Sequence, residues 1–265
     1  MYTASDHTFV ICAYKESGYL EECVRSLQKQ TVPSKMIVST STPNGGIEAL
    51  CEKYGLPLFI NTGARGIAED WNFGYAQAGS PLVTIAHQDD IYEPGYLEGI
   101  LRGINGAKRP LIAFSGYGEL RGGKTVWKNR LLKIKRLMLW PLRFGPLQKS
   151  RFIRRRILSM GCPICCPAVT YVADNLPVPV FTPHFKSNVD WQAWERLSRE
   201  KGAFVYVPKA LMKHRIHGES ATSEIIGASL RGREDYEMLC KFWPRWIAGI
   251  IEHFYKQSEN SNKIA

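Results

Sequence analysis

Two adjacent carboxylates, Asp89 and Asp90, follow an apolar run at residues 82–86, with only His87 and Gln88 between. Pro81 precedes the run and a Glu-Pro-Gly turn follows the carboxylates, so the pattern predicts a buried strand that ends at the acid pair. This carboxyl end is where open α/β sheets bind their ligands. Like charges repel unless a cation lies between them, and hard oxygen ligands suit Mg²⁺ or Mn²⁺. A second interpretation stays open, in which Asp89 caps the next helix and Asp90 is solvated.

The first 120 residues alternate strand and helix patterns. Short apolar runs rich in β-branched residues predict five strands, and apolar residues spaced three or four apart predict four helices between them. This alternation predicts an α/β fold with a mostly parallel central sheet and helices on both faces. The predicted strands are 8–13, 36–39, 58–60, 82–86 and 111–117, and the predicted helices are 18–30, 47–54, 66–78 and 95–105.

The alternation breaks at residues 121–160, which we call the basic segment. Its residues 128–156 include eleven Lys and Arg and no Asp or Glu, whereas the rest of the chain has 24 basic and 24 acidic residues, so the formal charge of +11 lies here. Later patterns predict a strand at 168–172, a helix at about 190–201, a strand at 204–207 and a helical tail from Arg231 that frays. We predict a catalytic domain over 1–225, with the basic segment as an amphipathic insert, and a helical extension over 226–265.

Composition narrows the class of protein. No apolar run approaches the roughly 20 residues that a membrane span needs, and the first residues lack a signal-peptide pattern. The seven cysteines are odd in number and lack the spacing of a disulfide framework, which favours a cytoplasmic protein with free thiols. Cys162, Cys165 and Cys166 have no second cysteine pair or paired histidines of a zinc site, so we interpret them as buried and inert.

Five segments, taken in order, resemble the inverting nucleotide-sugar enzymes of glycosyltransferase family 2, which have the GT-A fold. The resemblance covers roughly residues 7–220. Each segment is a weak signal alone, and their order along the chain makes the resemblance specific. The segments are 11–16, 19–27 with Gln30 and Thr31, 61–79, His87-Gln88-Asp89-Asp90, and Asp190-Trp191-Gln192-Ala193-Trp194 followed by Arg215-Ile216-His217-Gly218-Glu219-Ser220.

The resemblance implies roles for the matching residues. Asp89, with Asp90 and His217, would bind Mn²⁺ or Mg²⁺ and so neutralise the charge that develops on a diphosphate leaving group. Asp190 would be the base that deprotonates the acceptor hydroxyl. From the residues alone, Asp190 could equally be a carboxylate favoured by a helix dipole, and His217 a surface residue. The implied donor-binding residues are Ala13, Tyr14, Glu16, Ser39, Thr40, Asn72, His87, Gln88 and Arg215.

Three positions depart from the family's pattern. His87 stands where the family has the first carboxylate of its D-x-D motif, and its imidazole could hydrogen-bond a ribose hydroxyl. Ser39 and Thr40 begin a run of hydroxyl residues where the family has an acidic residue that contacts the base. Val189 stands where the family often has Glu. The donor sugar and its base therefore stay open.

Cationic and bulky apolar residues are interleaved in the basic segment, which suits a helix lying on anionic lipid. A nucleic acid, or a solvated helix with one buried face, would also fit the charge. We favour lipid, and we predict an inverting glycosyltransferase that acts at the cytoplasmic face of the cell membrane on a glycan or lipid-linked acceptor, as in polysaccharide synthesis. Two alternatives stay open: a non-catalytic nucleotide-sugar binder of the same fold, and a basic nucleic-acid-binding α/β protein. The latter lacks a helix-turn-helix pattern, so we predict no nucleic-acid partner.

Overall fold

The computed structural model describes residues 1–217 and 228–260, with side chains up to 217 and from 230 to 254. In this part of the chain, nine strands form one sheet with the order β3-β2-β1-β4-β8-β6-β9-β5, and β7 pairs with β6. The strands are β1 (His7–Ala13), β2 (Lys35–Thr40), β3 (Leu58–Ile60), β4 (Leu82–His87), β5 (Ile91–Tyr92), β6 (Pro110–Arg121), β7 (Lys124–Val126), β8 (Val169–Val172) and β9 (Ala203–Ile216).

Helices cover both faces of this sheet, which confirms the predicted α/β class. Successive residues of β1 alternate between two cores, because neighbouring side chains on a strand point to opposite faces. Phe9 packs with the side of the sheet that α1 and α4 cover, and Val10 packs with the side that α3 and α8 cover. The helices are α1 (Leu20–Gln28), α2 (Gly45–Tyr54), α3 (Ile67–Gln77), α4 (Tyr96–Asn105), α5 (Arg130–Leu139), α6 (Gly145–Gln148), α7 (Arg151–Leu158), α8 (Val189–Ser198), α9 (Ala228–Cys240) and α10 (Arg245–Asn260).

The direction of the strands is more mixed than predicted. β1, β2, β3 and β4 are parallel neighbours, as the alternating pattern indicated. β8, however, lies antiparallel between β4 and β6. The chain leaves β6 at the carboxyl edge of the sheet, forms the basic segment, and re-enters through β8 from that same edge. No crossover is needed, and the basic segment therefore stays at the edge that carries the acid pair.

Among the predicted strands, β9 differs most in length from its prediction. Its pattern predicted a strand at 204–207, but the strand continues to Ile216 and pairs in parallel with β6 along most of its length. Pro208 and Lys209 interrupt the apolar run, and the ladder shifts its register at this point, where Gly116 of β6 faces them. A Cβ atom at Gly116 would lie 3.1 Å from the carbonyl oxygen of Pro208, so the irregularity depends on a residue without a side chain. The extension brings 214–217 to the acid pair.

Part of the basic segment is structural. Arg154 is buried, and it donates to the carbonyl oxygens of Gly202 and Glu200. On α5, Lys135 donates to the hydroxyl of Tyr117, and the neighbouring Arg136 donates to the carbonyl oxygen of the same tyrosine. Within residues 128–156, seven other cationic residues are exposed, namely Lys128, Arg130, Lys133, Arg143, Lys149, Arg151 and Arg156. The charge pattern therefore combines inward-facing anchors with an outward-facing cationic surface.

The predicted helical tail is present as α9 and α10. Met238 and Leu239 of α9 and Ala248 of α10 are fully buried in the core on the α8 side. The sequence predicted fraying from Gln257, which is wrong for residues 257–260 because α10 continues to Asn260. Residues 261–265 lie outside the described residues, and the division of the chain at residue 225 stays a prediction. Among the described residues, no helix combines the length and hydropathy that a membrane crossing requires.

Candidate active site

The acid pair lies at the carboxyl end of β4, beside the end of β1, where His87 is in register with Cys12. Asp90 is fully buried. Its Oδ1 accepts from the backbone N–H of Arg215 (2.9 Å) and lies 3.0 Å from Nδ1 of His214. Burial works against a charged imidazole, but the carboxylate of Asp90 raises the pKa of His214. Asp90 therefore joins the loop that carries the acid pair, which we call the acid loop, to β9. Sequence patterns missed His214 because the strand was predicted to end before it.

Asp89 is held from the same strand. Its carbonyl oxygen accepts from Nε of Arg215 (2.8 Å), and its Oδ2 lies 2.9 Å from Nε2 of His217. Arg215 also pairs with the carboxylate of Glu22, and its guanidinium lies 4.2 Å from the ring centroid of Tyr19. Although Asp89 is largely buried, the imidazoles around it hold the pKa of its carboxyl below the usual value. The structure thus brings Asp89, Asp90, Arg215 and His217 together, while Gly218, Glu219 and Ser220 lie outside the described residues.

Ligand atoms of His87, Asp89 and Asp90 all lie within 4.8 Å of one another. We call these three residues the His–Asp–Asp cluster. Burial lowers the pKa of His87, which favours the neutral imidazole, the form that can donate a lone pair to a metal. Among the described residues, Nε2 of His87 and Oδ2 of Asp90 are buried without a hydrogen-bond partner. Unpartnered buried acceptors of this kind fit a divalent cation, with His217 at hand beside Asp89.

The remaining predicted donor residues surround this cluster in different ways. Gln88 joins the acid loop to the end of β1, because its amide donates to the carbonyl oxygen of Tyr14 and accepts from the N–H of Tyr14. Ala13, the last residue of β1, is buried beside it. Glu16 is exposed and lines a 420 Å³ cleft between the starts of α1 and α2, which no residue of the His–Asp–Asp cluster lines.

The hydroxyl run after β2 has an acidic partner that sequence patterns missed. Ser39 and Thr40 are buried at the end of β2. The hydroxyl of Ser41 donates to Oδ2 of Asp70 (2.7 Å), and Asn61 donates to Oδ1 of the same residue (2.7 Å). Asp70 on α3 therefore places a carboxylate beside the hydroxyl run at the end of β2. Its position in a helix, far along the chain, gave no signal.

Asn72 is engaged within the protein. Its side-chain amide donates to the carbonyl oxygen of Phe181 and accepts from the N–H of Phe181. The ring of Phe181 lies against Trp71, and Trp71 stacks on His87 with 5.1 Å between centroids. Asn72 thus fixes the loop that supports Trp71 and His87, and its direct contact with a donor stays a prediction.

Asp190 lies in the first turn of α8, at the edge of the sheet near the basic segment. Its Oδ1 accepts from the N–H of Trp191 (2.7 Å), and the thiol of Cys162 lies 3.8 Å from its Oδ2. Burial raises the pKa of Asp190, and the positive charges of Lys135 and Arg231 only partly oppose this rise. A buried carboxylate with a raised pKa is suited to accept a proton. Cys162, Cys165 and Cys166 have pKa values well above the usual range because they are buried, as expected of unreactive thiols.

Two carboxylates of α9 hold the loop that leads into α8. Glu234 accepts from the N–H groups of Lys186, Ser187 and Asn188. Asp235 accepts from the side-chain amide of Asn188, the residue before α8. Sequence patterns assigned α9 to a terminal extension and missed these contacts. The position of Asp190 therefore depends on a helix that follows it by some forty residues.

The family model described as glycosyl transferase family 2 matches residues 8–170, more than half of the chain. The chain belongs to this family, which confirms the predicted family and places the protein among the glycosyltransferases. An uncharacterized glycosyltransferase of Haemophilus influenzae is 23% identical over 234 residues, covering 81% of this chain. The chain spans 66% of that relative's length.

Solved structures confirm the predicted GT-A fold. Staphylococcus aureus TarS 1-349 in complex with UDP-GlcNAc is 16% identical, with a TM-score of 0.64 over 98% of this chain and 76% of that one. The mannosyltransferase PcManGT of Pyrobaculum calidifontis, in complex with GDP-Man and Mn²⁺, is 13% identical, with a TM-score of 0.59 over 89% and 62%. Glucosyl-3-phosphoglycerate synthase of Mycobacterium tuberculosis, with Mn²⁺, UDP-glucose and phosphoglyceric acid, is 16% identical, with a TM-score of 0.55 over 80% and 72%.

Proposed function

We propose that this protein transfers a sugar from a nucleotide-sugar donor to a glycan or lipid-linked acceptor, with inversion at the anomeric carbon. The observation that carries the proposal is the His–Asp–Asp cluster at the carboxyl edge of a family 2 sheet. Structures of the same fold bind a UDP-sugar or GDP-Man, in two cases together with Mn²⁺. A nucleotide diphosphate held by Mn²⁺ or Mg²⁺ at this edge is therefore the proposed donor site.

Asp89 and His217 would hold the divalent cation, with His87 and Asp90 beside them. When bound, the cation offsets the charge that develops on the leaving diphosphate. Asp190 accepts the proton of the acceptor hydroxyl as that oxygen attacks the sugar from the face opposite the diphosphate. Arg215 is committed to Asp89 and Glu22, so it fixes the acid loop rather than reaching freely for the donor.

Base recognition would fall to the end of β2. Ser39 and Thr40 supply hydroxyl groups, and Asp70 supplies a carboxylate through its contact with Ser41. A carboxylate in this position accepts from an imide or amidine N–H group, which uracil and guanine both present. The arrangement leaves the choice between these bases open.

The basic segment supports peripheral binding at the cytoplasmic face of the cell membrane. Leu137, Trp140 and Phe144 are exposed beside the exposed cations Lys133 and Arg143. Basic and bulky apolar groups on one surface suit anionic lipid. The charge of Lys135, an inward-facing residue of the same segment, opposes the rise in the pKa of Asp190, which supports a position of the proposed base near the basic segment. A lipid-linked acceptor would then meet Asp190 close to the membrane.

The single-turnover rate of transfer should fall on the acid side of the pH profile, because Asp190 becomes protonated there and can no longer act as a base. The pKa of Asp190 is raised, so this limb should lie above the pH range in which an ordinary aspartate titrates. The measurement is single-turnover transfer across pH, with Asp174→Asn, an exposed aspartate, as the matched control. A parent profile that stays flat down to about pH 4 would contradict the raised pKa of the base.

Replacing Lys133, Arg143, Lys149 and Arg151 with Gln should release the protein from anionic vesicles. Each cation near such a surface contributes about 1 kcal/mol, so partitioning should fall roughly 10²–10³-fold. All four side chains are exposed, unlike Lys135 and Arg136, which hold Tyr117. Co-sedimentation at low and high salt measures the effect.

The matched control for this variant replaces Lys29, Lys108, Lys201 and Lys209, four exposed lysines outside the basic segment. The control has the same change in net charge and should keep most of its binding. Equal loss in both variants would mean that net charge, and not the basic segment, attracts the vesicles. Preferential binding of the parent to duplex DNA would instead favour a nucleic-acid partner.

His87, in place of the family's first carboxylate, also motivates a second candidate function, a nucleotide-sugar binder without turnover. Release of nucleoside diphosphate from a panel of nucleotide sugars with Mn²⁺ separates the two functions. Turnover of one donor, lost in Asp190→Asn, supports the transferase. Tight binding of a donor that is never consumed, with or without acceptor glycans, would support the binder.

A further inference from the structure

Helix α10 exposes a row of large apolar side chains. Trp246, Ile250 and Phe254 are 70%, 53% and 65% exposed, and their spacing of four residues places them on one face of the helix. We call these three residues the apolar stripe. Ala248 and Ile251, on the other side of α10, pack against the core, so the stripe is not needed to hold the helix in place. Three large apolar groups in one row indicate a surface that contacts something else.

The apolar stripe begins beside the basic segment. The indole N–H of Trp243, three residues before the stripe, donates to the carbonyl oxygen of Ser159 (2.7 Å). The guanidinium of Arg156 lies between two rings, 4.6 Å from the centroid of Trp243 and 5.6 Å from that of Phe152. Phe152 on α7 is itself 66% exposed. Exposed apolar groups therefore continue from the basic segment to the start of α10.

Charge complementarity identifies the partner that this surface fits. The seven exposed cations of residues 128–156, a range with no acidic residue, would meet the anionic headgroups of a bilayer. Trp and Phe side chains next to cations are the groups that enter the boundary between headgroups and acyl chains. A second copy of this chain would bring an equally cationic segment to the same place, and the two segments would repel each other.

We propose that the apolar stripe inserts into an anionic bilayer as a second membrane-binding element, alongside the basic segment. The cations attract the protein to the surface, and the stripe with Phe152 retains it by burying apolar area. The inference rests on the proposed function only through the membrane-facing role of the basic segment. It assigns a role to α10 that the donor site and the base do not use.

The test is a triple variant, Trp246→Ser, Ile250→Ser and Phe254→Ser, bound to vesicles of phosphatidylcholine with phosphatidylserine. Partitioning should fall about a hundredfold or more, since three large apolar groups lose their burial. High salt should weaken the parent but leave residual binding, and it should abolish binding of the triple variant. The matched control replaces Ile60 and Val178 with Ser, two exposed apolar residues outside this surface, and should bind like the parent.

A second measurement keeps the test valid if the triple variant unfolds. Acyl chains that carry bromine should quench the parent's tryptophan fluorescence, and Trp246→Phe should bind equally well while losing part of that quenching. Unchanged partitioning of a folded triple variant, or unchanged quenching in Trp246→Phe, would overturn the inference. A parent that dimerises while the triple variant stays monomeric would also overturn it, because a second copy would then cover the stripe.

These outcomes are separable from those of the proposed function. If the quadruple Gln variant lost vesicle binding and the triple Ser variant did not, the stripe proposal would be wrong and the proposed transferase activity would be unaffected. Donor turnover without an acceptor lipid should be the same in the triple variant and the parent. If the protein bound vesicles through the apolar stripe but turned over no nucleotide sugar, the proposed transferase activity would be wrong and the stripe proposal would be supported.

Discussion

Replacing Asp89 with Ala is expected to abolish metal-dependent binding of a nucleoside diphosphate. Asp89 supplies a carboxylate to the His–Asp–Asp cluster, and neither imidazole beside it can replace that negative charge. Loss of groups that merely support a metal ligand costs 10–100-fold, so loss of the ligand itself should cost about a hundredfold or more. Calorimetric titration of the diphosphate with Mn²⁺ measures this affinity.

Asp89→Asn serves as a second variant, because the amide keeps the shape of the side chain and loses its charge. Glu98→Ala, which removes an exposed carboxylate paired with Arg102 on α4, is the matched control and should bind like the parent. Unchanged affinity in both Asp89 variants would remove Asp89 from the metal site.

Asp190→Asn is expected to bind the donor normally and to lose transfer by roughly 10²–10⁴-fold, the usual contribution of a positioned general base. The amide oxygen can still accept from the N–H of Trp191, so α8 should keep its start. The amide cannot accept a proton from the acceptor. Donor affinity by calorimetry and transfer under single-turnover conditions measure the two effects separately.

The matched control is again Asp174→Asn, which makes the same chemical change on the surface. Transfer at the parent's rate in Asp190→Asn would place the base elsewhere. A loss of both donor binding and transfer would indicate a collapsed site and would be visible as a lower melting temperature.

The local part of this architecture follows from sequence patterns. Apolar runs located β1 and β4, and the acid pair stands at the end of β4 as predicted. The start of α8 at Val189 puts Asp190 in its first turn, where the pattern placed it. The hydrophobic periodicity of a strand or helix depends on residues that are close in sequence, so sequence patterns indicate such elements and their buried faces directly.

The contacts that hold the site residues in place could not be predicted from sequence patterns, because they join segments far apart in the chain. His214 reaches Asp90 only because β9 continues past Pro208, which no periodicity indicates. Asp70 meets Ser41 through the packing of α3 on β1 and β2, where a Cβ at Gly74 would lie 2.8 Å from a methyl group of Val10 and 3.1 Å from the hydroxyl of Ser39. Tertiary packing determines such contacts, and helix or strand patterns do not predict them.

The basic segment shows the same division. Its positive charge and its amphipathic pattern could be recognised in the sequence, but the sequence alone could not distinguish exposed cations from inward-facing ones. Arg154 is buried against backbone carbonyl groups, and Lys135 donates to Tyr117 while its charge opposes the raised pKa of the proposed base. Both satisfy hydrogen-bonding or electrostatic demands of distant elements, which only the fold defines.

We expect a nucleoside diphosphate to bind at the carboxyl edge of this sheet together with a divalent cation. A thermal-shift screen of UDP, GDP, CDP and ADP, each with and without Mn²⁺, tests it most directly. A ligand at about 100 times its dissociation constant stabilises the folded state by about 2.7 kcal/mol, which corresponds to a rise of roughly 5–10 °C in Tm for a chain of this size. We expect one base to give this rise with Mn²⁺ and little without it, and Asp89→Ala to give none. The absence of a shift with every diphosphate, or an equal shift in Asp89→Ala, would contradict the account.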